Sequence, residues 1–284
     1  MAEQKELQQK FPLNLKWNTR FKRCSFAPAL AAELQELFAD GEGLLQKSRI
    51  IKNSRSTSAG IFSLNGTEYF VKRSNVNGFF ESLRRIGRMS RAARNKLITD
   101  QISSLGIRTP AVYAALETMP WGLPGASYLI TECFPHPMTV ADVLRDLLLS
   151  ADFDRQDLIC RIAAMAVKLH DNGIEHGDFK LHNVLAYRNN DGVLEFGLFD
   201  FDGSMLHPKA CCKSVRIRDL ARLASSMFAC CCEFDCECDF SENLRCWAKA
   251  YAAAGGADYS LDKDYYRRTI RFVPEAYKNR IEAQ

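Results

Sequence analysis

Apolar and polar positions follow two rhythms along the chain, and the change of rhythm marks its organisation. From Lys47 the spacing is that of strands. Short runs at Arg49–Lys52 and Ala59–Leu64 lead to Asn65-Gly66, a dipeptide suited to a tight hairpin, and then to Glu68–Arg73. Lys72 therefore lies near the end of a strand. Before this region, residues 1–44 read as an extension that ends in a helix from Pro28 to Phe38, closed by Asp40-Gly41. Residues 79–105 carry helical spacing in two pieces broken at Gly87, with Gly106 and Pro110 as the stop. Tyr128–Glu132 (YLITE) predicts a strand ended by Pro135 and Pro137. Thr139 with Asp142 forms a capping box that opens a helix over Val140–Leu149. Residues 155–171 predict a second helix with Ile159, Ile162, Ala166 and Leu169 on one face, stopped by Asn172-Gly173. A hairpin of Val184–Tyr187 and Val193–Asp200 turns at Asn189–Gly192, and after Asp219 the spacing is mostly helical.

The order predicts an α+β architecture: an extension (1–44), a β-rich lobe (45–132) and a mainly helical lobe (133–284), joined by an extended connector near 132–138. The elements do not alternate as βαβ repeats, so a Rossmann fold is not expected.

Composition narrows the class. At 47% hydrophobic and 25% charged, the 284 residues match a globular protein and exclude a disordered or collagenous chain. No stretch approaches about eighteen consecutive apolar residues, the length a spanning helix needs. The first twenty residues lack an apolar signal core, and with that context the eleven cysteines are expected as reduced thiols in a cytoplasmic chain. The net charge of +4 conceals an asymmetry. Residues 1–110 hold 19 basic and 9 acidic side chains, whereas the remainder holds 19 basic and 25 acidic. A basic first part suits an anionic partner. Nucleic acid fits poorly, because the basic residues are not interleaved with stacking aromatics.

Three elements carry the candidate chemistry. The first is His176-Gly177-Asp178-Phe179-Lys180-Leu181-His182-Asn183, between a helix and a strand. Its Asp178 can orient a hydroxyl and accept its proton, Asn183 can offer an amide oxygen to Mg²⁺, and Lys180 can neutralise a transferring phosphoryl group. The second is Phe199-Asp200-Phe201-Asp202-Gly203 at a strand end, where Asp200 can hold Mg²⁺ against nucleotide phosphates. The third is Lys72, placed to hold those phosphates. Each alone is weak; their order and contexts agree.

On these residues the chain resembles the protein-kinase-like superfamily, and within it the bacterial lipopolysaccharide core (heptose/Kdo) kinases. The carrying residues are the basic run Arg88 to Arg94, Gly106-Ile-Arg-Thr-Pro110, YLITE, HGDFKLHNVL and LFDFDGS. The resemblance covers roughly residues 50–225. It implies a two-lobed kinase-like fold and an ATP- and Mg²⁺-dependent phosphotransferase acting on a sugar hydroxyl, heptose first, of the lipopolysaccharide inner core. It further implies Asp178 and Lys180 as catalytic residues and Asn183 and Asp200 as metal ligands. Lys72, Glu132 and Phe134 would bind nucleotide, the last two within a hinge that receives adenine through backbone groups. The partner is expected to be lipopolysaccharide core or a lipid-linked acceptor, met at the cytosolic face of the inner membrane by a peripheral enzyme. Two departures stand out. The segment Asn53–Gly60 holds one glycine where a phosphate loop is expected, and the helix after Lys72 shows Asn95, with Glu81 and Asp100 nearby, instead of a clear glutamate partner. Asp219 matches the buried helix acid that braces the catalytic loop.

Rival readings are an aminoglycoside- or choline-like kinase, whose cationic acceptors call for an acidic cleft, and a non-catalytic pseudokinase, opposed by intact Asp178, Asn183 and Asp200. Cys230-Cys231-Cys232, Cys236 and Cys238 lack paired CxxC spacing, so small core residues are expected rather than a zinc site. In FFESLRRIGRMSRAARNK (79–96), helical spacing would set Phe79, Leu83 and Ile86 against the lobe and align Arg84, Arg88 and Arg91 toward an anionic surface.

Overall fold

The structure is a computed structural model that describes residues 16–18, 22–134, 139–149 and 154–282. The expected stops Pro135 and Pro137 and the first fifteen residues lie outside the described residues. Contacts divide the chain into two compact units, residues 1–104 with 109–136 and residues 105–108 with 137–284.

The first unit is a seven-stranded antiparallel sheet with helices. In chain order its elements are β1 (Lys16–Asn18), β2 (Lys22–Phe26), α1 (Ala32–Phe38), α2 (Gly41–Gln46), β3 (Arg49–Asn53), β4 (Thr57–Leu64), β5 (Thr67–Ser74), α3 (Phe79–Arg84), α4 (Arg91–Ser104), β6 (Val112–Thr118) and β7 (Ser127–Glu132). The strand order is β1-β2-β6-β7-β5-β4-β3. Asn65 and Gly66 both take positive φ, as the tight β4–β5 hairpin requires. In register, Lys72 lies between Ala59 of β4 and Leu129 of β7.

Where the sequence suggests an extension, residues 16–46 add β1, β2, α1 and α2 to this unit. Phe38 is fully buried among Phe62, Tyr69 and Tyr113, each with its ring centroid within 6.3 Å. Asp40 does not merely close α1. Its side chain accepts the Gly43 N–H at 3.2 Å and caps α2.

The basic segment also departs from expectation. α3 ends at Arg84, Gly87 takes φ 74°, and α4 begins at Arg91, so the three arginines share no helix face. Phe79, Leu83 and Ile86 do not pack inward; they are 61%, 40% and 57% exposed, beside Phe80 at 79%. Gly87 in the left-handed region ends the helical path before a continuous face can form.

The second unit comprises α5 (Val140–Leu149), α6 (Arg155–Asp171), β8 (Ile174–Glu175), β9 (Val184–Arg188), β10 (Leu194–Leu198), β11 (Met205–Leu206), α7 (Lys213–Glu233), α8 (Phe240–Ala253), α9 (Lys263–Phe272) and α10 (Glu275–Glu282). The capping box forms: Asp142 accepts from the Thr139 N–H at 2.9 Å and hydroxyl at 2.8 Å, while the Asp142 N–H donates to Thr139 Oγ1 at 3.1 Å. Ile159, Ile162, Ala166 and Leu169 are buried as the helical spacing predicts. α7 runs through the core, with Leu220, Ala224, Met227 and Phe228 fully buried. Cys230, Cys231 and Cys232 are buried on the same helix as free thiols.

Candidate active site

Two short antiparallel ladders bring the two acidic loops of the second unit together. The Asp178 loop connects β8 to β9, and the Asp200 loop connects β10 to β11. β8 pairs with β11, aligning Glu175 with Met205, and β9 pairs with β10, aligning Val184 with Leu198. The loops are thus fixed at both ends against one another. Gly177 sits in the crossing: φ is 77°, and a Cβ there would lie 2.3 Å from the Gly203 carbonyl. The Ser204 hydroxyl donates to the His176 carbonyl at 2.7 Å, a further tie between the loops. His176 is fully buried, stacked on Phe179 at 4.7 Å and tilted against Phe201 at 5.4 Å.

Asp219 of α7 braces this loop from below. Its carboxylate accepts the backbone N–H groups of His176 at 2.8 Å and Gly177 at 3.0 Å. It also faces His170 Nε2 at 3.4 Å, while His170 Nδ1 meets the Tyr251 hydroxyl at 2.8 Å. An acceptor-only carboxylate makes Nε2 the protonated nitrogen of His170. Burial opposes ionisation of Asp219, but the hydrogen bond from His170 and that from the His176 backbone outweigh it and hold the carboxyl below its usual range.

The Asp178 carboxylate is gripped by three donors. Arg222 Nη1 lies 2.7 Å from Oδ1, Lys180 Nζ lies 3.1 Å from Oδ2, and Asn183 Nδ2 donates to Oδ2 at 3.2 Å and to the Asp178 carbonyl at 2.8 Å. The amide nitrogen of Asn183 is therefore committed within the loop, which leaves its oxygen as the group to meet a cation. Asp200 is an exposed residue at φ 59°, ψ 68°, a left-handed conformation unusual for a non-glycine. Such strain concentrates at functional positions. One amide oxygen and one carboxylate fit a magnesium ion, which binds few protein groups and fills its octahedron with phosphate oxygens and water. Among the described residues no cluster of three His, Cys, Asp or Glu side chains forms a closed metal cage.

In the first unit, Lys72 is half-buried on β5. Glu132 ends β7, where its N–H donates to the Ala111 carbonyl at 2.8 Å and its carboxylate accepts the Ala111 N–H at 3.1 Å. That N–H is committed to the sheet, and Phe134 follows two residues on, half-buried. Glu81 and Asp100 both have local partners: Glu81 accepts from the Asn77 N–H and Arg85, and Asp100 pairs with Lys96 at 2.7 Å. Arg222 has no counterpart in the expected set. Its signal was its spacing, since a residue three positions after Asp219 on a helix shares the face that meets the loop.

A profile of the Lipopolysaccharide kinase (Kdo/WaaP) family matches residues 45–245. The chain belongs to that family. It is accordingly a kinase acting on lipopolysaccharide core, with a protein-kinase-like fold. Among solved structures similar to this kinase is one described as WaaP in complex with acyl carrier protein. It has 15% identity and a TM-score of 0.63, covering 89% of this chain and 100% of that one. No curated protein matches the chain in sequence.

Proposed function

We propose that this kinase transfers the γ-phosphoryl group of ATP to a heptose hydroxyl of the lipopolysaccharide inner core. The observation that carries this reading is the grip on Asp178, a carboxylate oriented by Arg222, Lys180 and Asn183 on a loop braced by Asp219. In the reaction the acceptor hydroxyl oxygen bonds to the γ-phosphorus, its proton passes to Asp178, and ADP departs. Asp178 orients the hydroxyl, and Lys180, half-exposed beside it, offsets charge on the transferring group. Asn183 and Asp200 would hold magnesium, which when bound neutralises phosphate oxygens. Lys72 is assigned to the nucleotide phosphates, and the backbone about Glu132 and Phe134 to adenine. Family membership supports the core as substrate; the choice of heptose rests on the sequence resemblance.

A peripheral position at the cytosolic face of the inner membrane is supported by α3 and the turn after it. Phe79, Phe80, Leu83 and Ile86 stand exposed beside Arg84 and Arg88, and apolar tips with flanking arginines suit an anionic lipid surface. Among the described residues no helix is long and apolar enough to cross a membrane.

The test is transfer from labelled ATP to purified core oligosaccharide, with mass spectrometry locating the new phosphate. Phosphate on heptose that requires Asp178 supports the assignment. Transfer to Kdo alone would move the acceptor, and hydrolysis without transfer would refute the reading.

A further inference from the structure

α7 and α9 flank an open groove of about 520 Å³ in the second unit. Arg218 and Arg222 of α7 line one wall, and Arg267, Arg268 and Arg271 of α9 line the other. The acidic residue among the lining is Asp264, held by Arg268 at 2.9 Å. Arg218 pairs with the buried Glu175, and Arg222 with Asp178. With those three carboxylates counted, five arginines leave a surplus of two positive charges.

The concentration is costly without a ligand. Arg267 and Arg271 are four residues apart and Arg268 and Arg271 three apart, so like charges crowd one side of α9. The fold does not require that pattern, because α9 is anchored by Tyr265 and Thr269, both buried, with the Tyr265 hydroxyl donating to the Leu244 carbonyl at 3.2 Å. The floor of the groove is arranged too. The Arg222 guanidinium lies 4.4 Å over the Phe272 ring, which holds it flat while its Nη1 bonds Asp178. Each guanidinium has five N–H donors, and one carboxylate fills at most two of them.

The groove ends at Gly177, the residue before Asp178. Lys180, Asn183 and Asp200 do not line it, which separates it from the groups assigned to magnesium and the transferring phosphoryl. Its volume suits a sugar-sized ligand. Guanidinium forks match planar carboxylates and phosphates.

We propose that this groove is the acceptor subsite. It would grip an oxyanion, a carboxylate or a phosphate monoester, on the sugar acceptor and so place a neighbouring hydroxyl at Asp178. The assignment rests on Asp178 as the base of the proposed transfer, and the experiment separates the two.

The test compares wild type with Arg267→Gln/Arg268→Gln/Arg271→Gln and with the single variants Arg271→Gln and Arg271→Lys, each checked for folding by circular dichroism. The acceptor is core oligosaccharide in three forms: untreated, phosphatase-treated and carboxyl-reduced. Binding is measured by calorimetry without nucleotide, and KM by transfer. For the triple variant, acceptor affinity should fall and acceptor KM rise about tenfold or more, the loss of two exposed charge contacts and one half-buried one, while the KM for ATP stays put. Arg271→Lys should recover only part of the loss seen with Arg271→Gln. For wild type, weakening on phosphatase treatment identifies a phosphate, and weakening on reduction identifies a carboxylate. Wild type that binds oligosaccharide through these arginines yet transfers nothing would sink the transfer and keep the groove. Normal transfer with unchanged acceptor KM in the triple variant, or indifference of wild type to both treatments, would overturn the groove and keep the transfer.

Discussion

His176 gives the structure its sharpest stability test. The ring is fully buried between Phe179 and Phe201, and among the described residues neither ring nitrogen meets a hydrogen-bond partner. Burial, the largest influence, pushes its pKa below the usual histidine value despite the nearby carboxylate of Asp219. Leaving a buried polar group unpaired costs about 1–3 kcal/mol. His176→Phe removes that cost, keeps an aromatic ring in the stack, and adds roughly one carbon of bulk, a strain of about 1–3 kcal/mol. At pH 7.5 the two nearly cancel, and the variant should equal the wild type or exceed it by about 1 kcal/mol.

Acid separates them. Because the folded pKa lies below the unfolded one, the unfolded chain takes up a proton at about pH 6.5 that the folded chain refuses, so stability falls as pH falls. The slope is at most about 1.4 kcal/mol per pH unit and levels off once the folded pKa is reached. The phenyl ring of the variant has no proton to gain. The measurement is the urea midpoint of both proteins at pH 7.5, 6.5, 5.5 and 5.0, where the carboxylates common to both cancel in the difference. A gap that widens as pH falls below about 6.5, by no more than about 1.4 kcal/mol per pH unit, is expected. Parallel curves would show that His176 is hydrogen-bonded or charged in the folded protein, and the packing account of the loop would fail.

Asp178→Asn should lower turnover by roughly a hundredfold or more with nucleotide binding intact, measured by transfer and calorimetry; undiminished transfer contradicts the base assignment. Asp200→Ala should abolish magnesium-dependent nucleotide binding, with Asp202→Ala milder, and equal losses would mean the pair is misassigned. Cys238 accepts from the Cys231 thiol, and this, with Arg155 at 3.0 Å, outweighs burial and pushes its pKa down to about 6. Iodoacetamide should label it with a rate that rises through about pH 6, and a midpoint near pH 8.5 would refute the thiolate. Neutralising Arg84 and Arg88 to Gln should weaken binding to anionic liposomes by roughly thirtyfold at low salt, at about 1 kcal/mol per arginine. A normal liposome affinity with reduced ATP affinity would instead place the segment in the nucleotide site.

The elements with local chemistry were legible. Asn65-Gly66 announces a hairpin because both residues tolerate positive φ, and Thr139 with Asp142 announces a helix start because their side chains answer each other's N–H groups. β6 (VYAALET) was not legible: two of its seven residues are alanine, and its central residues are buried without polar alternation, so periodicity does not separate strand from helix. β8 and β11 are two residues long, too short for any pattern. Their pairing nonetheless sets the two acidic loops side by side, so the decisive geometry lay in the elements with the least sequence signal.

The same division runs through the site. Asp178 and Asn183, five residues apart in one loop, and Asp200 at the end of a strand stand out as candidates because their spacing and contexts suit phosphoryl transfer. Arg222 offers only its spacing from Asp219, and the arginines of α9 declare nothing, since a helical Arg with an acid one turn away reads as a solvated pair. Only the packing of α9 on α7 turns Arg218, Arg222, Arg267, Arg268 and Arg271 into one field ending at Gly177. The charge asymmetry pointed the other way, because the second part of the chain is acid-rich overall. Acids about the groove are neutralised in place: Asp264 is held by Arg268, Glu175 by His207 and Arg218, and Asp219 by backbone N–H groups. A sum over sequence cannot see that neutralisation, whereas the field that selects an acceptor depends on which charges are left over at one place.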